Sequence, residues 1–454
     1  MTCDVRGLLF FLIALIGTCL AQIMYEGPEP NVEVLHPKGF KVSLKDDGYS
    51  SFRVRGRLFF LNKAETRVLT ERDTNVSKRD GYWVYENWRH KLEAGDTIFY
   101  VINVNKRGID AMSFIYDYTV TESSCRESKT VVRGEKSVCE GSMIFQEEFE
   151  KTSLSDLCNW YSEIMFPREP DFPFNAYVSN DTISFEDGSL VIRPVLSETQ
   201  YGEDFLYNAF DLGARCTGTE DRYECKHEAS GANVFPPVLT AKISTRHHFN
   251  FKFGRIEVRA KLPAGSWLIP EINLEPSDHT YGQDHYESGF MRVAFARGNP
   301  SLAKKLYGGP VLSDTEPFRS ALLKEKIGIE SWNKDFHNYT LVWRPDGIVL
   351  LVDGEQYGTV SPEGGFIESA RNYSVTHSWH WAKGTVMAPL DEMFHVTLGL
   401  RVGGINEFPD DLADKPWVNG ASKARLDFWS NIDSWYPSWH NTALHVDYVR
   451  IYAL

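Results

Sequence analysis

HNYTLVWRPDGIVLLVDGEQ (residues 337–356) decides the fold. Two runs rich in β-branched and aromatic residues flank the turn PDG, which is the pattern of a β-hairpin. The same character extends in both directions. FKFGRIEVRAKL (251–262) alternates apolar and charged residues, and FHVTLGLRVGG (394–404) and LHVDYVRIYAL (444–454) follow. Short helices are expected only around SLAKKL (301–306) and FRSALLKEK (318–326). Residues 141–454 therefore read as one large two-sheet sandwich of β-jelly-roll (concanavalin-like) type with long loops.

Upstream, alternation recurs in FKVSL (40–44), SFRVRGRLFF (51–60), YWVY (82–85) and DTIFYVINV (96–104). In SFRVRGRLFF, Phe52, Val54 and Leu58 share one face while Arg53, Arg55 and Arg57 face away. Short period-two segments separated by turns predict a second, immunoglobulin-like β-sandwich over residues 22–122. The whole chain is thus read as all-β. ESSCRESKTVVRGEKSVCE (122–140) is polar, with a cysteine near each end. It reads as a linker, bounded at 123–140 and tied by a local disulfide.

The first residues set the compartment. MTCDVRGLLFFLIALIGTCLAQ carries an apolar run from Leu8 to Ile16 followed by small residues, as in a secretory signal peptide cut after Ala21. No stretch qualifies as a membrane span. Removing residues 1–21 leaves Cys125, Cys139, Cys158, Cys216 and Cys225. The close spacings suggest Cys125–Cys139 and Cys216–Cys225 as disulfides and leave Cys158 unpaired. Acceptor sequons begin at Asn75, Asn180, Asn338 and Asn372, the third within a strand. The net charge of -14, without any dense basic run, argues against a nucleic-acid partner. No cofactor is expected, and His377 and His380 have no Cys or acid at metal-ligand spacing.

Several motifs together resemble glycoside hydrolase family 16, the laminarinase and lichenase group. They are MIFQEEFE (143–150), DGSLVIRP (187–194), FGRIEVRAKLPAGSW (253–267), SGFMRVAFARGN (288–299), FHNYTLVWRPDGIVLLVDG (336–354), FHVTLGLRVGG and VDYVRIY. PKGFKVSLKDDG (37–48), DGYWVYEN (80–87) and LEAGDTIFYV (92–101) resemble the β-1,3-glucan-binding module of carbohydrate-binding module family 39. A signal peptide, that module and a family 16-like domain form the layout of the arthropod β-1,3-glucan recognition proteins, also called Gram-negative bacteria-binding proteins.

The resemblance locates the reaction centre. A retaining glycosidase needs two carboxyl groups roughly 5 Å apart across the scissile bond. Family 16 carries them as Glu-x-Asp-x-x-Glu on one strand, where a bulge re-aims the last residue. Ser288 to Phe295 aligns with that motif and places Phe290, Arg292 and Phe295 at the nucleophile, assisting and acid/base positions. A benzyl ring has no lone pair or proton to offer, and an arginine keeps its proton. No catalytic residue is therefore assigned. The rival reading is an active secreted β-1,3-glucanase using displaced acids, with Glu271, Glu275, Asp284 and Glu287 as candidates. The family's stacking tryptophans are absent from LIPEIN (268–273). Trp267, Trp379, Trp381, Trp417, Trp435 and Trp439 remain as cleft candidates, with Trp379 and Trp381 expected to share a strand face. A third reading is an adhesive protein with no sugar ligand.

For residues 22–122, the resemblance implies glucan binding by a polar and aromatic patch, with Asp47, Trp83 and Arg89 as the carrying residues. It also implies a secreted pattern-recognition protein of innate immunity. Its expected ligands are β-1,3-glucan and other microbial surface polysaccharides, and its expected partners are serine proteases of an immune cascade.

Overall fold

The computed structural model describes residues 28–454 apart from 36–38, 61–64, 70–75, 80, 88, 91, 93, 107–108, 122–125 and 136. The expected signal peptide, Asn75 and Cys125 lie outside the described residues. The chain divides into two compact units, residues 1–124 and 125–454. Among the described residues, no helix is long and apolar enough to cross a membrane.

The first unit is a β-sandwich of two four-stranded antiparallel sheets. Strands Asn31–Val34, Phe40–Lys45, Tyr82–Asn87 and Val76–Arg79 form one, in that order. Strands Glu65–Leu69, Tyr49–Phe60, Thr97–Lys106 and Ile109–Thr119 form the other. Alternation explains the core. Phe52, Val54 and Leu58 are buried and meet Phe40, Val42 and Leu44 from the facing sheet, while Arg53, Arg55 and Arg57 are exposed.

The second unit is a larger sandwich of jelly-roll type. One sheet has eight strands, with the hairpin His337–Arg344 and Gly347–Val352 beside Gly254–Lys261 and Leu444–Tyr452. The other has nine, and its centre runs Phe394–Val402, Leu268–Pro276, Phe290–Phe295, Lys305–Val311. Phe394, Val396, Leu398, Leu400 and Val402 fill the core between the sheets. The alternate residues of that strand, His395, Thr397 and Arg401, are polar and yet buried as well. Long loops therefore cover the outer face of the nine-stranded sheet, and polar side chains are sealed beneath them.

Residues 126–140 depart from the linker expectation, because they are built into the second unit. Val131–Val132 pairs with Phe251–Lys252, and the Ser128 hydroxyl donates to the Leu454 carbonyl at 2.6 Å. Two expected helices also give way to pairing. SLAKKL runs into the strand Lys305–Val311, and FRSALLKEK keeps one helical turn, Phe318–Ala321, before the strand Lys324–Ile327. Ladder hydrogen bonds to Phe290–Phe295 and between these two strands outweigh local helix propensity there.

THSWHW is not a strand either. Thr376–Lys383 is a 3₁₀ helix, in which residues two apart point to different sides. Trp381 is consequently buried while Trp379 is 62% exposed. Cys216 and Cys225 are bonded, Cys139 is disulfide-bonded, and Cys158 is an exposed free thiol.

Candidate functional site

The strand Phe290–Phe295 carries the expected irregularity. It pairs in register with Lys305–Val311 from Phe290 to Arg292, and the register shifts before Phe295 meets Tyr307. A second shift against Leu268–Pro276 falls in the same stretch. The bulge lets Phe290, Arg292 and Phe295 share one side although the last is five residues from the first. The Arg292 guanidinium lies 3.9 Å from the Phe295 ring centroid and 5.6 Å from that of Phe290. All three side chains are buried.

Arg292 belongs to a buried ion lattice. It donates to Glu407 Oε1 at 2.5 Å, and Arg319 donates to the same oxygen at 2.7 Å. Arg319 also reaches Asp171 at 3.0 Å. Arg401 pairs with Asp171 at 2.5 Å, with Glu271 at 3.2 Å and with Glu407 at 3.2 Å. Tyr286 donates its hydroxyl to Asp171 at 2.7 Å, and Tyr177 donates to Glu271 at 2.7 Å. Burial opposes ionisation of Glu407, but Arg292, Arg319 and Arg401 outweigh it and hold its carboxyl at about 2. Asp171 behaves likewise: burial is overcome by Arg319 and Arg401, and its carboxyl stays far below the usual range.

A second cluster continues across the sheet. Lys242 donates to Glu275 at 2.9 Å and stands 3.5 Å from Glu163, and Thr397 donates to Glu275 at 3.0 Å. Burial pushes the Glu163 carboxyl up against the pull of Lys242. Glu275 is held at about 2, because Lys242 and then His395 overcome its burial. The candidate displaced acids are thus already engaged: Glu271 and Glu275 as described, and Asp284 with Arg222 at 2.7 Å. Glu287 is half-buried, and its backbone carbonyl accepts from Trp381 Nε1 at 2.7 Å.

Above the lattice lies a hollow of about 1170 Å³ whose wall includes Arg292, Phe295, Arg297, Tyr307 and Arg319. The tryptophans expected in a cleft are elsewhere. Trp267, Trp417 and Trp435 are buried in aromatic packing, with Trp267 4.9 Å from Trp417 and Trp435 4.4 Å from Phe428. Trp439 is half-buried against Trp435.

In the first unit, the turn holding Asp46 and Asp47 lies beside Trp83. Asp46 accepts from Trp83 Nε1 at 3.1 Å and from the Tyr49 N–H at 3.2 Å, and it pairs with Lys78. The Lys78 hydrogen bond, opposed by partial desolvation, sets the Asp46 carboxyl below the usual range. Asp47 is exposed and takes Lys106 at 2.8 Å. Trp83 is half-buried, stacked on Phe52 at 6.3 Å, with the Lys78 ammonium 5.3 Å from its ring. Arg89 is exposed beyond the other end of the strand Tyr82–Asn87, roughly 13 Å of extended chain separating Trp83 from Asn87. The structure gathers Asp47 and Trp83 at one end and leaves Arg89 apart.

Sequence reasoning missed Asp46, Lys78, Asp171, Arg319, Arg401 and Glu407. Arg401 had a local signal, a charge inside the apolar strand FHVTLGLRV. Asp171 and Glu407 sit in loops and gave none.

The family model of a carbohydrate binding domain (family 32), CBM39, matches residues 26–132, and that of glycosyl hydrolases family 16 matches residues 219–387. β-1,3-Glucan-binding protein 2 of Manduca sexta is 45% identical over 98% of this chain and 98% of its own. The chain belongs to the β-1,3-glucan-binding protein family. β-1,3-Glucan-binding protein 1 of Galleria mellonella is 43% identical over 95% of this chain and 96% of its own. Gram-negative bacteria-binding protein 3 of Drosophila melanogaster is 33% identical, covering 98% and 97%. A solved laminarinase catalytic domain from Thermotoga maritima aligns at 17% identity with a TM-score of 0.45, covering 69% of this chain and 99% of that one. The relatives in this family are named for binding, while the second unit carries a hydrolase fold.

Proposed function

We propose that this protein is a secreted recognition protein that binds microbial β-1,3-glucan and does not hydrolyse it. One observation carries the reading. Where hydrolysis needs a nucleophile and an acid, a charged arginine lies against two phenyl rings and is committed to Glu407. An acetal is not opened by such a set, since no group there can attack the anomeric carbon or protonate the leaving oxygen. The first unit takes the glucan near Trp83 and Asp47. Asp46 and Lys78 orient the indole, and sugar rings stack on its uncovered part. The second unit serves as scaffold and as a further ligand surface. Downstream, the same reading gives the protein a role in innate immune signalling through a serine protease cascade.

Glu163 and Glu275 have pKa values driven apart, the usual mark of an acid and a nucleophile. The Lys242 ammonium fills the space between them at 3.5 and 2.9 Å, so no sugar ring can enter. That observation favours structure over catalysis.

The test has two arms. Purified full-length protein is expected to sediment with insoluble curdlan, and Trp83→Ala to lower the bound fraction. Incubation with laminarin is expected to release no reducing sugar above the uncatalysed rate. Retention unchanged by Trp83→Ala moves the binding site elsewhere. Release of reducing ends that Glu275→Gln abolishes makes the protein a glucanase.

A further inference from the structure

The hollow over the strand Phe290–Phe295 is divided. The chamber of about 1170 Å³ has a smaller neighbour of about 200 Å³, whose wall includes Glu271, Glu275, Tyr286 and Phe290. The two chambers share Glu169, Pro170 and Gln283. Tyr286 lines the smaller chamber and touches the wall of the larger: its ring packs 4.8 Å from Phe290, the guanidinium of Arg319, a residue of the larger chamber, lies 5.4 Å from its centroid, and its hydroxyl donates to Asp171 at 2.7 Å. Asp171 is held in turn by Arg319, Arg401 and Asn406.

Tyr286 is therefore anchored in the ion lattice. Swinging Tyr286 away would remove a donor from a buried carboxylate. The backbone agrees. His285 and Tyr286 hold φ of 50° and 58°, a region that residues with a side chain rarely adopt, so the surroundings over-determine their position.

We infer that the cleft is blind-ended at Tyr286: it admits the end of a saccharide chain into the larger chamber and excludes a chain running through. The inference rests on the proposed recognition of β-1,3-glucan and adds which part of the polymer this unit takes. The larger chamber suits a neutral polyol. Half-buried Tyr307 offers a ring, Arg297 offers donors, and Nη1 of buried Arg319 has no partner. Of the lining acids, Asp284 is matched by Arg222 at 2.7 Å and Asp314 by His285 at 2.6 Å, and Glu316 accepts from the Ser320 hydroxyl at 2.7 Å. The smaller chamber falls below the usual range of ligand pockets, roughly 300–1,000 Å³.

Hydrogen exchange of the full-length protein tests this, read at peptides spanning 290–297 and 305–311. The probes are laminarihexaose and laminarin of measured chain length. For a blind end, both protect those peptides at the same molar concentration of chains, because each chain offers one entering end. In Tyr286→Ala the groove runs through, and laminarin acts at a lower molar concentration, in proportion to its length. Proportionality to length in the unaltered protein overturns the inference, as does a Tyr286→Ala variant that folds and still counts chains. Should that variant not fold, the unaltered protein alone decides. Peptides spanning 76–87 report the first unit in the same experiment. Protection there without protection at 290–297 defeats this inference and leaves glucan recognition standing, whereas protection at neither defeats both.

Discussion

The two units use charge in opposite ways. Around Trp83 the first unit sets Asp46, Asp47, Lys78 and Lys106 in pairs open to solvent in varying degree. The second seals Asp171, Glu271, Glu407, Arg292, Arg319 and Arg401 at 3–8% exposure. Water competes for a surface pair, so such a pair is worth little and is easily exchanged for sugar hydroxyls. A buried pair has no substitute partner, and removing one member leaves a stranded charge. The first arrangement suits a site that must release its own contacts to take a ligand. The second suits a scaffold in which charge is part of the interior.

The largest expected effect strips the lattice. Arg401→Met leaves Asp171, Glu271 and Glu407 short of a cation and is expected to destabilise the second unit by about 3–5 kcal/mol. Calorimetry should show its transition falling while that of the first unit stays. A change below the range for exposed pairs would erase the contrast drawn above.

Acid comes next. Burial holds His227 at about 4 and His395 at about 3, both below the ordinary imidazole value. The unfolded chain then binds more protons, so stability contributed by these groups is lost as pH falls from about 6.5 through the folded values, by about 3 kcal/mol for His227 and about 5 kcal/mol for His395. Glu275 and Glu407, held at about 2, add a further loss below the ordinary carboxylate range. Denaturant midpoints measured from pH 7 to 3 are expected to fall for the second unit more steeply than for the first. His227→Phe should flatten the upper part of that curve.

Trp83 gives a smaller and sharper comparison. Trp83→Phe keeps a ring against Phe52 and loses the hydrogen bond to Asp46, a change of about 1 kcal/mol. Curdlan retention should fall further than stability does if the indole meets the sugar. Equal falls in the two would make Trp83 a packing residue.

The least perturbing test concerns glycans. Asn180 and Asn372 are exposed, whereas Asn338 lies in a central strand with its Oδ1 buried. Mass spectrometry of secreted protein is expected to find glycans at the first two and none at Asn338.

Much of the fold was legible because period-two patterning is local. Phe52, Val54 and Leu58 announced a core face within seven residues of chain, and the hairpin at 337–352 announced itself through its turn. Shorter signals failed where pairing overrode propensity, as in SLAKKL, or where two tryptophans two residues apart were read as a strand inside what is a 3₁₀ helix. At the candidate site, the bulge and the side shared by Phe290, Arg292 and Phe295 followed from spacing.

By itself the sequence determined the all-β architecture, the position of its sheets along the chain and the shared side of Phe290, Arg292 and Phe295, because each depends on residues close in sequence. Only the tertiary structure decided what those side chains do. Arg292 meets Glu407 across 115 positions, and Arg401 meets Asp171 across 230. No local pattern encodes such partners. A buried charge is tolerated only where folding brings its counter-charge to hydrogen-bonding distance, and that distance exists only once the loops have closed over the sheet.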